Sequence, residues 1–177
     1  MKIKPILFGL STLLIVACNQ TDKKITLNPT EDKTATFKND PLLAGYMDIE
    51  KALVNDDASA AADAGKTLAT SIKTFDDKSL TAKQSYIFLK MKDDLLENAE
   101  HIGENADKID HQREHFKMLS EDFYELLKNV KAPIPLYKIN CPMYKEGSFW
   151  LSSTKEVKNP YYGASMSTCG EVEETLN

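Results

Sequence analysis

The chain has 177 residues, 42% hydrophobic and 28% charged, with 27 acidic against 22 basic side chains for a formal charge of −5. An acidic balance excludes a partner held through nucleic-acid phosphates, which need a basic face, and a polybasic grip on anionic lipid. The length suits one domain with a substantial core and is short for two.

The amino terminus reads as a processing signal. Lys2 and Lys4 precede an apolar run from Ile6 to Val16, too short to span a bilayer as a finished helix, and Ala17 stands before Cys18. This is the pattern of a bacterial lipoprotein signal. Residues 1–17 are expected to be removed and Cys18 acylated, which anchors the protein to a membrane of the cell envelope, facing the periplasm. Cleavage takes two lysines with it and leaves 20 basic against 27 acidic residues, a formal charge of −7. Residues 18–40 are rich in Thr, Asn, Asp and Lys without apolar periodicity, a flexible tether that would hold the domain roughly 25 Å from the surface.

Four amphipathic segments follow. Asp40-Pro41 makes a cap and first turn, and Leu42, Tyr46, Ile49 and Leu53 share one face of a helix that ends near Val54. Asn55-Asp56-Asp57 supplies a turn and the next cap. In the second helix Ala61, Ala64, Leu68, Ile72 and Phe75 form a stripe, weakened locally by Gly65. Ser79 or Thr81 can cap the third, which carries Phe88, Met91, Leu95, Ala99, Ile102 and Ala106 and frays at Gly103-Glu104-Asn105. The fourth, from near Asp107, carries Ile109, Phe116, Leu119, Phe123, Leu126 and Val130 before Pro133 and Pro135 stop it. Short polar turns between such stripes predict an all-α fold, an antiparallel up-and-down four-helix bundle over residues 41–132.

Residues 133–177 change character. Tyr137 to Ile139 and Ser148 to Leu151 are candidate short strands, but Pro142, Gly147, Pro160 and Gly163 interrupt any long element. The expectation is a largely irregular C-terminal arm of the same domain, pinned to the bundle by Phe149, Trp150, Tyr161 and Tyr162. Trp150 reads either as core or as a ring covering a bound cation.

The arm concentrates the chemistry. Cys141-Pro142-Met143 and Met166-Ser167-Thr168-Cys169 bracket it with two cysteines and two methionines, and polarizable sulfur favours Cu(I) or Ag(I) over harder ions. Two cysteines in an exported chain also suit a disulfide, or two buried free thiols, and the residues alone leave these readings open. All three histidines lie between residues 101 and 115. His111 and His115 share one face of the fourth helix with Met118, a possible second ligand set, although beside Gln112 and Glu114 the pair also reads as a solvated face. His115, at the margin of the apolar stripe, is the one expected to meet the arm and join the sulfur ligands.

Other chemistries find little support. Asn98, Lys108 and Gln112 occupy the places where a di-iron bundle needs glutamate three residues before each histidine. No phosphate loop, nucleophile elbow or zinc-protease helix is present, and Asp93, Asp94, Glu97, Glu100 and Glu104 read as the wet side of a helix. The sequence therefore points away from an enzyme.

The set Gln112-Arg113-Glu114-His115-Phe116, Leu119-Ser120, Cys141-Pro142-Met143, Trp150-Leu151-Ser152, Asn159-Pro160-Tyr161-Tyr162-Gly163 and Met166 to Gly170 resembles the domain-of-unknown-function family DUF3347 over Pro41 to Val172. Members are exported by bacteria, often of the Bacteroidetes. The domain occurs alone or on adaptor subunits of heavy-metal efflux pumps of the Cus type. The resemblance implies association with copper or silver handling and with efflux components as partners. It places the family's two sulfur motifs on Cys141 to Met143 and Met166 to Gly170.

Overall fold

A computed structural model of the protein describes residues 41–176; the signal, Cys18, the tether and the Asp40 cap lie outside the described residues. Four helices run in chain order, α1 (Pro41–Val54), α2 (Ala58–Thr74), α3 (Ala82–Glu104) and α4 (Ile109–Val130). The start signals act as expected. Asp57 accepts from Ala60 N at 2.9 Å to open α2, and Thr81 and Gln84 form a reciprocal capping box at the head of α3.

Each predicted stripe faces inward except at Ala106, which lies beyond the end of α3 in an exposed turn. Tyr46, Ile49, Leu53, Leu68, Ile72, Leu95, Ile102, Phe116, Leu119 and Val130 are fully buried in one core. Contacts between neighbouring helices pair late residues with early ones: Ile102 O with Gln112, Val130 O with Gln84, and Leu53 O with Arg113. The helices therefore alternate in direction around the bundle. Gly65, a local weakness in α2, has its reason here: a Cβ would lie 2.8 Å from Gly103 N and 2.9 Å from Ala99 O, so the pair of glycines lets α2 and α3 touch backbone to backbone.

The arm is more ordered than expected. Its two candidate strands are present as β1 (Leu136–Cys141) and β2 (Ser148–Ser152), and a third, β3 (Glu171–Leu176), completes an antiparallel sheet of order β2-β1-β3. Glu171-Val172-Glu173-Glu174 hides from a hydropathy reading because β3 is a mostly exposed edge held by backbone pairing and by polar contacts, Lys138 to Glu173 and Tyr124 to Glu174. Lys131, at φ +75°, ends α4 and turns the chain into the arm.

The sheet closes the bundle rather than resting on it. Leu151 N donates to Tyr46 Oη at 3.0 Å, and that hydroxyl also bonds Ser120 Oγ at 2.7 Å while the ring packs against Phe116 and Phe123. Trp150 is core and not a lid: it is fully buried, edge-on to Tyr161, with Gly170 under its ring. Among the described residues no helix is long and apolar enough to cross a membrane.

Candidate metal sites

Cys141 ends β1 and Cys169 precedes β3, and the pairing of Asn140 with Glu171 brings the two cysteines opposite each other. Their sulfurs stand 2.9 Å apart as free thiols, beyond the roughly 2.05 Å of an S–S bond. Cys141 is buried and Cys169 half-buried. The Cys141 thiol beside it, with burial, raises the Cys169 thiol above its ordinary range, and the Met143 N–H works against that rise by favouring the thiolate.

The aromatic loop between the cysteines fixes both halves of this pair. The fully buried Asn159 donates from Nδ2 to Cys169 O at 2.7 Å, while its Oδ1 accepts from Tyr161 N at 2.8 Å and Tyr162 N at 3.1 Å. Tyr162 Oη donates to Met143 O at 2.9 Å, and Cys169 N to Met166 O at 3.1 Å. The Met143 backbone thus meets the Cys169 thiol, and the Met166 carbonyl meets the Cys169 backbone N–H. Their side chains are at the surface, Met143 61% and Met166 38% exposed, so the thioethers are accessible to an incoming ion or partner.

His115 is placed elsewhere. Its Nδ1 lies 3.0 Å from Asn98 Oδ1 on α3, its ring stacks on His101 at 4.2 Å between centroids, and His111 stands edge-on at 4.6 Å. Its contacts are with the α3–α4 pair, so the expected meeting with the arm is replaced by an imidazole cluster. One donor nitrogen from each of His101, His111 and His115 can be chosen so that all lie within 4.8 Å of one another. Burial, then the neighbouring His101 and His111, lowers His115 to about 4. The ring is neutral at physiological pH.

The cluster is not a solvated face. Gln112, between the two α4 histidines, is 0% exposed and donates from Nε2 to Ala58 O at 2.9 Å and Ile102 O at 3.1 Å, tying α2, α3 and α4 together beneath the rings. Glu114 is exposed and pairs with Lys145 of the arm at 2.6 Å. Met118, on the same stripe, lines the acidic cleft beside His115 with Asp94, Glu97 and Asp122 and is itself exposed.

Two further residues escaped the sequence reading. Arg113, nearly buried, donates to Pro160 O at 2.9 Å and Leu53 O at 3.3 Å and pairs with Asp56, whose other oxygen accepts from Ala164 N. That clasp joins the end of α1, α4 and the arm. Glu50 lies 9% exposed at the wall of a cleft lined also by Lys51, Ser152, Lys158 and Thr168. Burial raises its carboxyl to about 7 against the opposing pull of Ser152 and of the Trp150 indole N–H. The indole nitrogen itself finds no partner at hydrogen-bond geometry.

His101 had a signal that could have been read. Antiparallel helices joined by a short turn bring together residues equidistant from that turn, and 101 and 111–115 flank it on either side.

Fold and sites define a class: among the described residues, a helical bundle closed by a small sheet, carrying a pair of thiols and a cluster of imidazoles. The chain belongs to the family described as "Protein of unknown function (DUF3347)", matched over residues 42–134. That match takes in the four helices and stops before the sulfur arm. No curated protein and no solved structure matches the chain.

Proposed function

We propose that this is a lipid-anchored, periplasm-facing protein that binds Cu(I) or Ag(I) through Cys141 and Cys169, with Met143 or Met166 as thioether ligands, and buffers the ion or hands it to a heavy-metal efflux system. The observation that carries the reading is the convergence of the two unbridged thiols, drawn from segments 28 residues apart, with the Met143 backbone N–H against the Cys169 thiol. Two thiolates and soft thioethers suit a d10 monovalent ion. An ion at a metal–sulfur distance of about 2.3 Å needs the sulfurs to part by about an ångström, a small movement at the end of a strand. The exposed thioethers suit transfer, because a partner's ligand can enter before another leaves. Lipid anchoring rests on the residues before Asn19, and the efflux partner on the family resemblance.

A competition titration of the reduced protein with Cu(I) against a chelator tests the site. Cys141→Ser is expected to weaken binding by several orders of magnitude and Met166→Leu by about tenfold. Equal affinity in all three proteins removes the proposal. The short sulfur separation also favours a second reading, a structural lipoprotein whose arm is stapled by a Cys141–Cys169 disulfide worth about 3 to 4 kcal/mol on the chain-entropy account. Intact mass of protein from the cell envelope separates them: loss of two hydrogens without metal supports the staple, and reduced thiols with bound copper support the carrier.

A further inference from the structure

We propose that His101, His111 and His115 bind one divalent transition-metal ion of borderline softness, such as Zn(II), at the turn between α3 and α4. The site is separate from the sulfur pair and of different ligand chemistry, and it does not depend on the soft-metal reading. Imidazole suits Zn(II) and Cu(II), whereas a thiol–thioether set selects monovalent ions.

The three histidines offer donor nitrogens close to one another. Zinc at about 2.0–2.1 Å from each nitrogen in a tetrahedral arrangement separates its donors by about 3.3 Å. The three nitrogens already lie within 4.8 Å, so the remaining approach is a side-chain rotation that unstacks His101 from His115. The backbone beneath is held. Gln112 ties the end of α3 to α4, Asn105 Nδ2 donates to His101 O at 2.8 Å, and the glycine contact of α2 with α3 fixes the same turn. The fourth position is left to water or to an exogenous ligand, as in open zinc sites.

Asn98 makes the assignment specific. Its Nδ2 donates to Asp122 Oδ2 at 3.2 Å, which orients the amide so that Oδ1 faces His115 Nδ1 at 3.0 Å. Nδ1 therefore carries the hydrogen and Nε2 keeps its lone pair. This chain of carboxylate, amide and imidazole matches the outer-shell arrangement by which metal-binding histidines are usually oriented. His101 and His111 make ring contacts but no ring hydrogen bond among the described residues, and both are only half-buried, so their nitrogens are free and reachable. The surrounding acidic side chains Asp94, Glu97 and Asp122 raise the local concentration of cations without being ligands.

Because the chain has only three histidines, imidazole NMR reports on this site alone. Zinc chloride is titrated into the full chain with thiols kept reduced, following the ring-proton signals and counting reactive thiols. All three rings are expected to shift together and saturate at one equivalent of zinc. His101→Gln should weaken that step by a hundredfold or more, and Asn98→Ala, which keeps all three rings, by tenfold to a hundredfold. The Asn98 variant should also change the His115 tautomer seen in the 15N spectrum of the metal-free protein. Zinc uptake with the imidazole signals unmoved, or with only one ring shifting, overturns the proposal. So does an Asn98→Ala protein with the wild-type tautomer and affinity.

Discussion

Asn159 satisfies two backbone N–H groups and one carbonyl from a fully buried position, and that carbonyl belongs to Cys169. Truncation to alanine leaves these groups unpaired, at about 1–3 kcal/mol each before relaxation. Asn159→Ala is expected to destabilise the protein by about 3 kcal/mol and to make Cys169 react faster with a thiol reagent, measured by chemical denaturation and by labelling kinetics. Gly170 is constrained as tightly. At φ +150°, a Cβ would sit 2.9 Å from the Trp150 ring and 3.1 Å from Asn140 O. Gly170→Ala should cost about 2 kcal/mol or more and alter the tryptophan fluorescence, since ring and strand must separate to admit the methyl. Neither role can be read from the Asn-Pro-Tyr-Tyr-Gly and Cys-Gly strings themselves. Those letters mark turns, while the carbonyl of Cys169 and the Trp150 ring that set the two roles lie outside each string.

At the scale of elements, the helices were legible and the arm only half so. Stripes at helical spacing, Asp57, Thr81 and the prolines after α4 each act locally, so the four helices follow from neighbours in sequence. β3 depends on β1, 30 residues earlier, and its own face is charged. The buried polar residues were hidden for the opposite reason. Arg113 and Gln112 look like solvent-facing letters in α4, and only tertiary neighbours show that they clamp other elements. Arg113→Ala removes the partner of Asp56 and the donor to Pro160 O, on a pair half open to solvent, and should cost about 2 kcal/mol. Hydrogen exchange is expected to accelerate in the arm and at the end of α1 while the centre of α3 stays protected. Equal acceleration throughout would mean that the clasp is not a local fastening.

For the molecule as a whole, Glu50 sets a pH dependence. Its folded value of about 7 exceeds the ordinary 4.3 or so, so the native state holds the proton more tightly than the unfolded chain. Stability is therefore greatest below the ordinary carboxyl range, declines as pH rises from about 4.5 to about 7, and levels off above. The full effect is about 3 kcal/mol. Glu50→Gln, uncharged throughout, is expected to flatten this part of the curve and to melt higher than wild type at pH 8. Unchanged melting curves from pH 5 to 8 in both proteins would contradict the burial of an ionising carboxyl. The boundary of the domain is also testable. A chain ended at residue 134 retains the family-matched helices but uncovers Tyr46 and Phe116 where Leu151 and Tyr161 had packed. Such a chain should keep its helical circular dichroism, bind a hydrophobic dye and lose its cooperative melt.

The bonds from Leu151 to Tyr46 and from Ala164 to Asp56 span 105 and 108 positions. Helix α1 thus waits for residues of the arm more than 100 positions on before its polar groups and inner face are satisfied. Closure of so long a loop is slow compared with helix formation. A chain interrupted late in synthesis carries the same open seam, and a protease would distinguish it from the finished product.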